Sequence, residues 1–277
     1  MKTSLPFLKS ISLSFLFIFL VACADNGGEE TNAQNSEPAE PEETAETNEA
    51  AENDEASEPE ETAREEEEEL MTLAWMPDLQ EGDQLVFRFH HSFPNSEELD
   101  ELYADSYPLV QTVESWEEMD DEEILMTILF EEDGPHGFLE GKSHYRISPA
   151  GFVLLQEGLV DGGSGHYIPG SLLLPGRFSG EEPVTHRTRI LERVRGEERN
   201  LKDSRTISLI GEETVEVSAG EFAGSLKIGG EGEVETEEGV ESYTFTEWFA
   251  PGLGLVKGEW SSEDEIFEFE LESFTVE

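Results

Sequence analysis

The chain has 277 residues, with 66 Asp and Glu against 16 Lys and Arg, a formal net charge of -50. That acidity repels phosphate backbones and excludes nucleic acid as a partner, while a single cysteine excludes both a disulfide framework and a cysteine-cluster metal site. No apolar run reaches the roughly 20 residues of a membrane-spanning helix.

At the N-terminus Lys2 and Lys9 introduce the apolar stretch from Ile11 to Ala22. A run of this size matches a signal-peptide core and is too short to cross a bilayer. It closes on Leu20-Val21-Ala22-Cys23, which resembles the lipobox of bacterial lipoproteins. The resemblance implies a signal peptide over 1–22, diacylglyceryl transfer to the Cys23 sulfur and cleavage before it. The mature protein would then be held on the extracytoplasmic side of the cell membrane by acyl chains such as palmitate, each buried CH₂ contributing ~0.8 kcal/mol. Ala24 follows the cysteine, so the aspartate that signals inner-membrane retention in two-membrane bacteria is missing.

Residues 23–70 form the second segment. From Ala24 to Leu70 there are 20 acids and one base, Arg64, and no aromatic or β-branched aliphatic residue. Such a segment cannot bury enough apolar surface to offset its ordering entropy, so a disordered acidic tether is expected.

The third segment, 71–277, holds 46 acids, 13 bases and all but four of the 26 aromatics. Only this part can build a sizeable core. Period-2 alternation recurs through it, the mark of half-buried strands. Strands are predicted near Gln84–His90, Leu109–Trp116, Ile124–Phe130, His144–Ile147 and Phe152–Gln156. A short helix is predicted at Glu97–Tyr103, with Ser96 as its N-cap. Farther on, Val184, Thr188, Ile190 and Val194 share one side of a strand. Val215, Val217 and Ala219 share another. Tyr243, Phe245 and Phe249 follow the same rule with Glu247 as a polar exception in phase, and Phe267, Phe269 and Leu271 alternate with glutamates. Turns are predicted at Pro149-Ala150-Gly151, Asp161 to Gly165, Gly196-Glu197, Gly229-Gly230 and Glu238-Gly239. About ten strands with short connections predict an all-β domain, a curved antiparallel sheet closing toward a half-barrel or a sandwich, with one short helix.

Within that domain Glu247-Trp-Phe-Ala-Pro-Gly-Leu-Gly-Leu-Val-Lys257 is the most specific stretch. Pro251-Gly252 suits a type II turn, and Gly254 allows a close backbone approach. With Ala219-Gly220-Glu221-Phe222 upstream, the pair resembles a pattern of secreted and lipoprotein β domains of bacteria: an AGxF turn, a hairpin, then W-[FY]-A-P-G-x-G-x-V-K. Trp75 to Gln84 is similar to the opening of those domains. Some of them look like the half-barrels of lipoprotein carriers, which hold acyl chains on a concave apolar face. The resemblance spans about 75–260 and implies structure rather than catalysis.

Candidate chemistry is sparse. His90, His91, His136, His144, His166 and His186 form no helical metal pair, so neither a metal nor a cofactor is expected. Gly163-Ser164-Gly165-His166 lacks the second glycine of a nucleophile elbow. The carboxylates are too many to single out an acid–base pair. Seven of the 13 bases fall in 187–205. On a strand Arg187, Arg189, Arg193 and Arg195 share one face, which reads either as an anion-binding patch or as cross-strand partners for glutamates. The expectation is therefore a non-enzymatic lipoprotein binding a hydrophobic or amphiphilic ligand against Phe245, Phe249, Phe267, Phe269 and Leu271. The alternative is a cell-envelope interaction protein with no ligand cavity, partnered by lipid or another envelope protein.

Overall fold

The computed structural model describes residues 69–276 except 120, 121, 136, 161, 195 and 238. The signal segment, Cys23, nearly all of the acidic stretch and Arg195 lie outside the described residues. In chain order the elements are β1 (Glu69–Met71), β2 (Gln84–Ser92), α1 (Glu97–Leu102), β3 (Tyr107–Glu118), β4 (Ile124–Gly134), β5 (Gly137–Ser148), β6 (Gly151–Leu159) and β7 (Ser164–Pro175). There follow β8 (Arg177–Ser179), β9 (Val184–Val194), β10 (Glu197–Val217), β11 (Gly220–Glu235), β12 (Val240–Ala250), β13 (Gly254–Ser262) and β14 (Ile266–Thr275).

Twelve of the strands close into one antiparallel barrel, running from β2 through β7, then β9 to β14 and back to β2. The remaining two, β1 and β8, pair with each other outside it, Leu70 opposite Phe178. The described residues are thus nearly all β, with one short α-helix and a single 3-10 turn at Leu73–Trp75, and the curved sheet goes to full closure. Closure removes the unpaired edges that a curved open sheet would present. The last joint is made by β14 on β2, with Phe274 opposite Leu85.

Alternation carries the closure. On β2 the residues Leu85, Phe87, Phe89 and His91 are buried while Val86, Arg88 and His90 are only half-buried. β14 buries Phe267, Phe269 and Leu271 on the same side. The Phe89 ring meets Phe267 edge-on at 5.1 Å and Phe269 at 5.7 Å.

Gly229-Gly230 makes no turn; it lies inside β11. The glycines are there for proximity, since a Cβ on Gly230 would stand 1.9 Å from the Thr206 carbonyl oxygen of β10. Pro251-Gly252 does turn, with Gly252 at φ 74°.

One end of the barrel is stoppered by the segment before β2. The Trp75 indole donates to the Gly224 carbonyl at 2.6 Å, and Asp78 N–H donates to the Gly252 carbonyl at 2.7 Å. Thr72, Met76 and Leu79 are buried beneath it. Pro77 packs against Gly254, the close approach that this glycine permits. Nearby, Ala219 N–H donates to the Leu271 carbonyl at 3.0 Å and ties the β10–β11 turn to β14. The other end carries α1, capped by Ser96, whose hydroxyl accepts from Leu99 N–H. Phe93 and Tyr103 are buried below that helix.

Candidate functional site

Along several strands the inward row reaches a titratable group toward one end. β4 buries Met126, Ile128 and Phe130 and then Glu132, and β9 buries Thr188 and Ile190 and then Glu192. β2 ends on His91, β6 carries Glu157, and Glu265 sits in the β13–β14 turn. Because these strand ends share the α1 end of the antiparallel barrel, the buried acids Glu132, Glu157, Glu192 and Glu265 gather toward that end. Asp203, Arg205 and Glu247 lie deeper and are equally buried.

Under α1, His91 is held on both sides. Its Nδ1 lies 2.6 Å from Glu265, and its Nε2 lies 2.7 Å from the Tyr107 hydroxyl. Both ring nitrogens are thereby engaged, by the carboxylate on one side and the phenol on the other, while the second Glu265 oxygen accepts no hydrogen bond. Burial, with the Glu132 charge nearby, pushes the Tyr107 phenol above its ordinary range. With both ring nitrogens occupied and the three side chains buried, this chain of bonds clasps the end of the barrel.

A cavity of about 60 Å³ lies inside the wall formed by β14, β2, β3, β4, β5 and β6. Phe87, Phe89, Leu109, Phe130, Phe267 and Phe269 supply its apolar lining, and Gln111, Ser143, Tyr145 and Glu157 its polar groups. Two of the rings are seated on glycines of the neighbouring strand. A Cβ on Gly258 would meet the Phe269 ring at 2.3 Å, and one on Gly141 would meet Phe130 at 2.3 Å. At about 10–15 Å³ per water-sized group, the cavity takes a short chain rather than a full acyl tail.

Glu157 accepts from the Tyr167 hydroxyl at 2.9 Å and from Ser143 at 3.4 Å. Burial pushes its carboxyl up to about 7, against those two hydrogen bonds. In register, Glu157 stands opposite Gly165 on β7, and Gly165 stands opposite Glu192 on β9. The two glutamates therefore flank a glycine in one inward row. Burial pushes Glu192 up to about 7 as well, with Arg199 pulling the other way. Neither carboxylate oxygen of Glu192 accepts a hydrogen bond.

Beyond this row, the Arg205 guanidinium lies 4.3 Å from the Phe245 ring centre and 5.0 Å from that of Trp260. It donates to the Leu172 carbonyl at 3.2 Å and stands 3.5 Å from Glu247. Burial pushes Glu247 up to about 6, partly offset by Arg205. Asp203 accepts from the Tyr243 hydroxyl at 2.8 Å, and burial raises its carboxyl too.

Of the five apolar residues expected to line a ligand site, Phe267 and Phe269 border the cavity. Phe245 lies beneath Arg205. Phe249 and Leu271 are wholly buried and do not border the cavity. On β9, Arg187, Arg189 and Arg193 point outward and are exposed, and none forms an ion pair with another described residue. Arg187 and Arg189 border an outer trough of about 470 Å³ with Lys202, Glu233 and Glu235. Lys202 pairs with Glu235 there at 3.0 Å. Among the described residues no group of His, Cys, Asp and Glu is arranged to hold a metal ion. Of the interior charged residues the sequence marks Glu247 alone, as a polar exception, and gives it no role; Glu132, Glu157, Glu192, Asp203 and Arg205 are additions of the structure. Their signal is a polar residue in phase with a buried apolar row, as Glu247 is with Tyr243, Phe245 and Phe249.

No family model matches the chain, and no curated protein does. Similar solved structures include a provisionally assigned lipoprotein from Parabacteroides distasonis, with a TM-score of 0.48 and 11% identity over 73% of this chain and 98% of that one. A provisionally assigned exported protein with a YmcC-like fold from Bacteroides fragilis gives 0.47 and 15% over 73% and 99%. The hypothetical lipoprotein YmcC from Escherichia coli gives 0.34 and 11% over 72% and 86%. The barrel described above rests on this chain's own strand pairing.

Proposed function

We propose that this chain is an extracytoplasmic lipoprotein anchored through Cys23, and that its barrel is a non-enzymatic binding module for a small amphiphilic ligand. The observation that carries the binding role is the cavity, which five phenylalanines line together with Ser143, Tyr145 and Glu157. Apolar walls with a few polar groups are the usual make-up of a small-molecule site. A binding role also suits the histidine, whose two nitrogens are both engaged by neighbours.

Calorimetric titration of the full-length chain with 1-butanol tests this reading. Saturable binding is expected, weakened at least about tenfold by Ser143→Phe or Leu109→Trp, each of which fills the cavity. No saturable binding, or binding indifferent to both fillings in variants that still melt cooperatively, overturns it.

A second reading is an interaction protein of the cell envelope. The exposed Arg187, Arg189 and Arg193, without ion pairs among the described residues, favour it. On that reading the cavity is a packing defect, and the outer trough on β9 to β11 meets an anionic partner.

A further inference from the structure

The observation that reaches farthest is the row Glu157, Gly165, Glu192. Strands β6, β7 and β9 are neighbours, so the two glutamates are two strand spacings apart, roughly 9–10 Å between backbones, and both side chains point inward. Gly165 between them contributes no side chain. What lies over it is the tip of Tyr167, whose hydroxyl oxygen would stand 3.7 Å from a Cβ on Gly165 and donates to Glu157. Glu192 is only 3% exposed, yet both of its oxygens lack a hydrogen-bond donor. A buried carboxylate left this way is costly unless it is paired or protonated. Arg199, its register partner on β10, is the cation beside it and donates no hydrogen bond to it. On its other flank Glu157 borders the phenylalanine cavity.

We infer that Glu157, Glu192 and Tyr167 form the polar half of a site for a primary ammonium group whose short apolar stem enters the cavity walled by Phe130 and Phe269. This rests on the cavity reading above and names its ligand class. The choice of a primary amine follows from what is missing. Glu192 lacks donors, and an ammonium has three N–H groups to offer, whereas a quaternary ammonium has none. Two acids without a third ligand suit an organic cation better than a metal, in keeping with the lack of a metal-holding group among the described residues. The Tyr167 oxygen supplies one more acceptor. The stem then lies along rings whose seats are fixed by Gly141 and Gly258.

The probes are n-butylamine and 1-butanol, which share a stem and differ in the head. The full-length chain is titrated with each at about pH 8.5, where both glutamates are ionised and the amine is protonated. Butylammonium is expected to bind at least about tenfold more tightly than butanol, as charge-assisted hydrogen bonds require. Glu192→Gln should bring the two affinities within about twofold and leave butanol binding as it was, since Glu192 does not border the cavity. Equal affinities in the unaltered chain, or a preference that survives Glu192→Gln, overturn the ammonium site while the cavity reading stands. If neither probe binds, both fall.

Discussion

Arg205 and Glu247 stand 3.5 Å apart inside the barrel, with the guanidinium stacked over Phe245 and no hydrogen bond accepted by the carboxylate. The pair is close enough to attract and too poorly bonded to recover its desolvation in full. Arg205→Met should therefore cost about 3–5 kcal/mol by leaving Glu247 and Asp203 without their cation. Arg205→Met combined with Glu247→Leu should restore most of that loss. Urea unfolding of the single and double variants checks it, and equal losses in both would show that the pairing is immaterial.

Among the interior acids whose pKa burial raises, Glu157 and Glu192 lie at about 7 and Glu247 at about 6. Each binds its proton more tightly folded than unfolded. Their contribution is thus fully present below about pH 4.5 and is lost as the pH rises through 6 and 7. The melting temperature should fall from pH 5 to pH 8. Glu157→Gln with Glu192→Gln should flatten that fall, since glutamine does not titrate. Melting curves across the range give the difference in slope between the two proteins, which separates these acids from the general self-repulsion of the chain. Matching slopes would count against buried, ionisable carboxyls at these positions.

Gly258 and Phe269 face each other across β13 and β14. A methyl group at 258 has no room beneath the ring. Gly258→Ala should cost about 1–3 kcal/mol, the usual penalty of overpacking, and should weaken butanol binding because the displaced ring moves into the cavity. Urea unfolding and a butanol titration of the same variant read the two effects.

The arginines on β9 make the opposite forecast. Exposed charges that form no ion pair with another described residue contribute little to stability. Arg187→Ser, Arg189→Ser and Arg193→Ser together should change unfolding free energy by less than about 1 kcal/mol. A larger loss would mean that they pair with the surrounding glutamates after all.

The strand rows were readable because a half-buried wall imposes period 2, and Phe267, Phe269 and Leu271 show it plainly. The same rule marks Glu247, which interrupts an apolar parity, though not the Arg205 that it faces. Closure was not readable, because it joins Phe274 to Leu85, residues distant in sequence. β7 went unnoticed for a local reason. Its Gly165, Pro169 and Gly170 look like loop, yet Gly165 is an inward strand position between two acids, and Gly170 supplies a carbonyl that Thr188 and His186 both reach. Gly229-Gly230 misleads in the same way, because glycine serves close approach as well as turning. Pairing across β6, β7 and β9 is what assembles Glu157 with Glu192, and no spacing along the chain announces it.

The most direct test of the central claim, a ligand-holding barrel interior, is a titration of the full-length chain with 1-butanol followed by NMR of ring-labelled phenylalanine. Saturable shifts are expected at Phe87, Phe130 and Phe269, which border the cavity, with none at Phe222 and Phe274, which pair with each other away from it. Shifts confined to Phe222 and Phe274, or no saturable shift at the cavity rings, would contradict it.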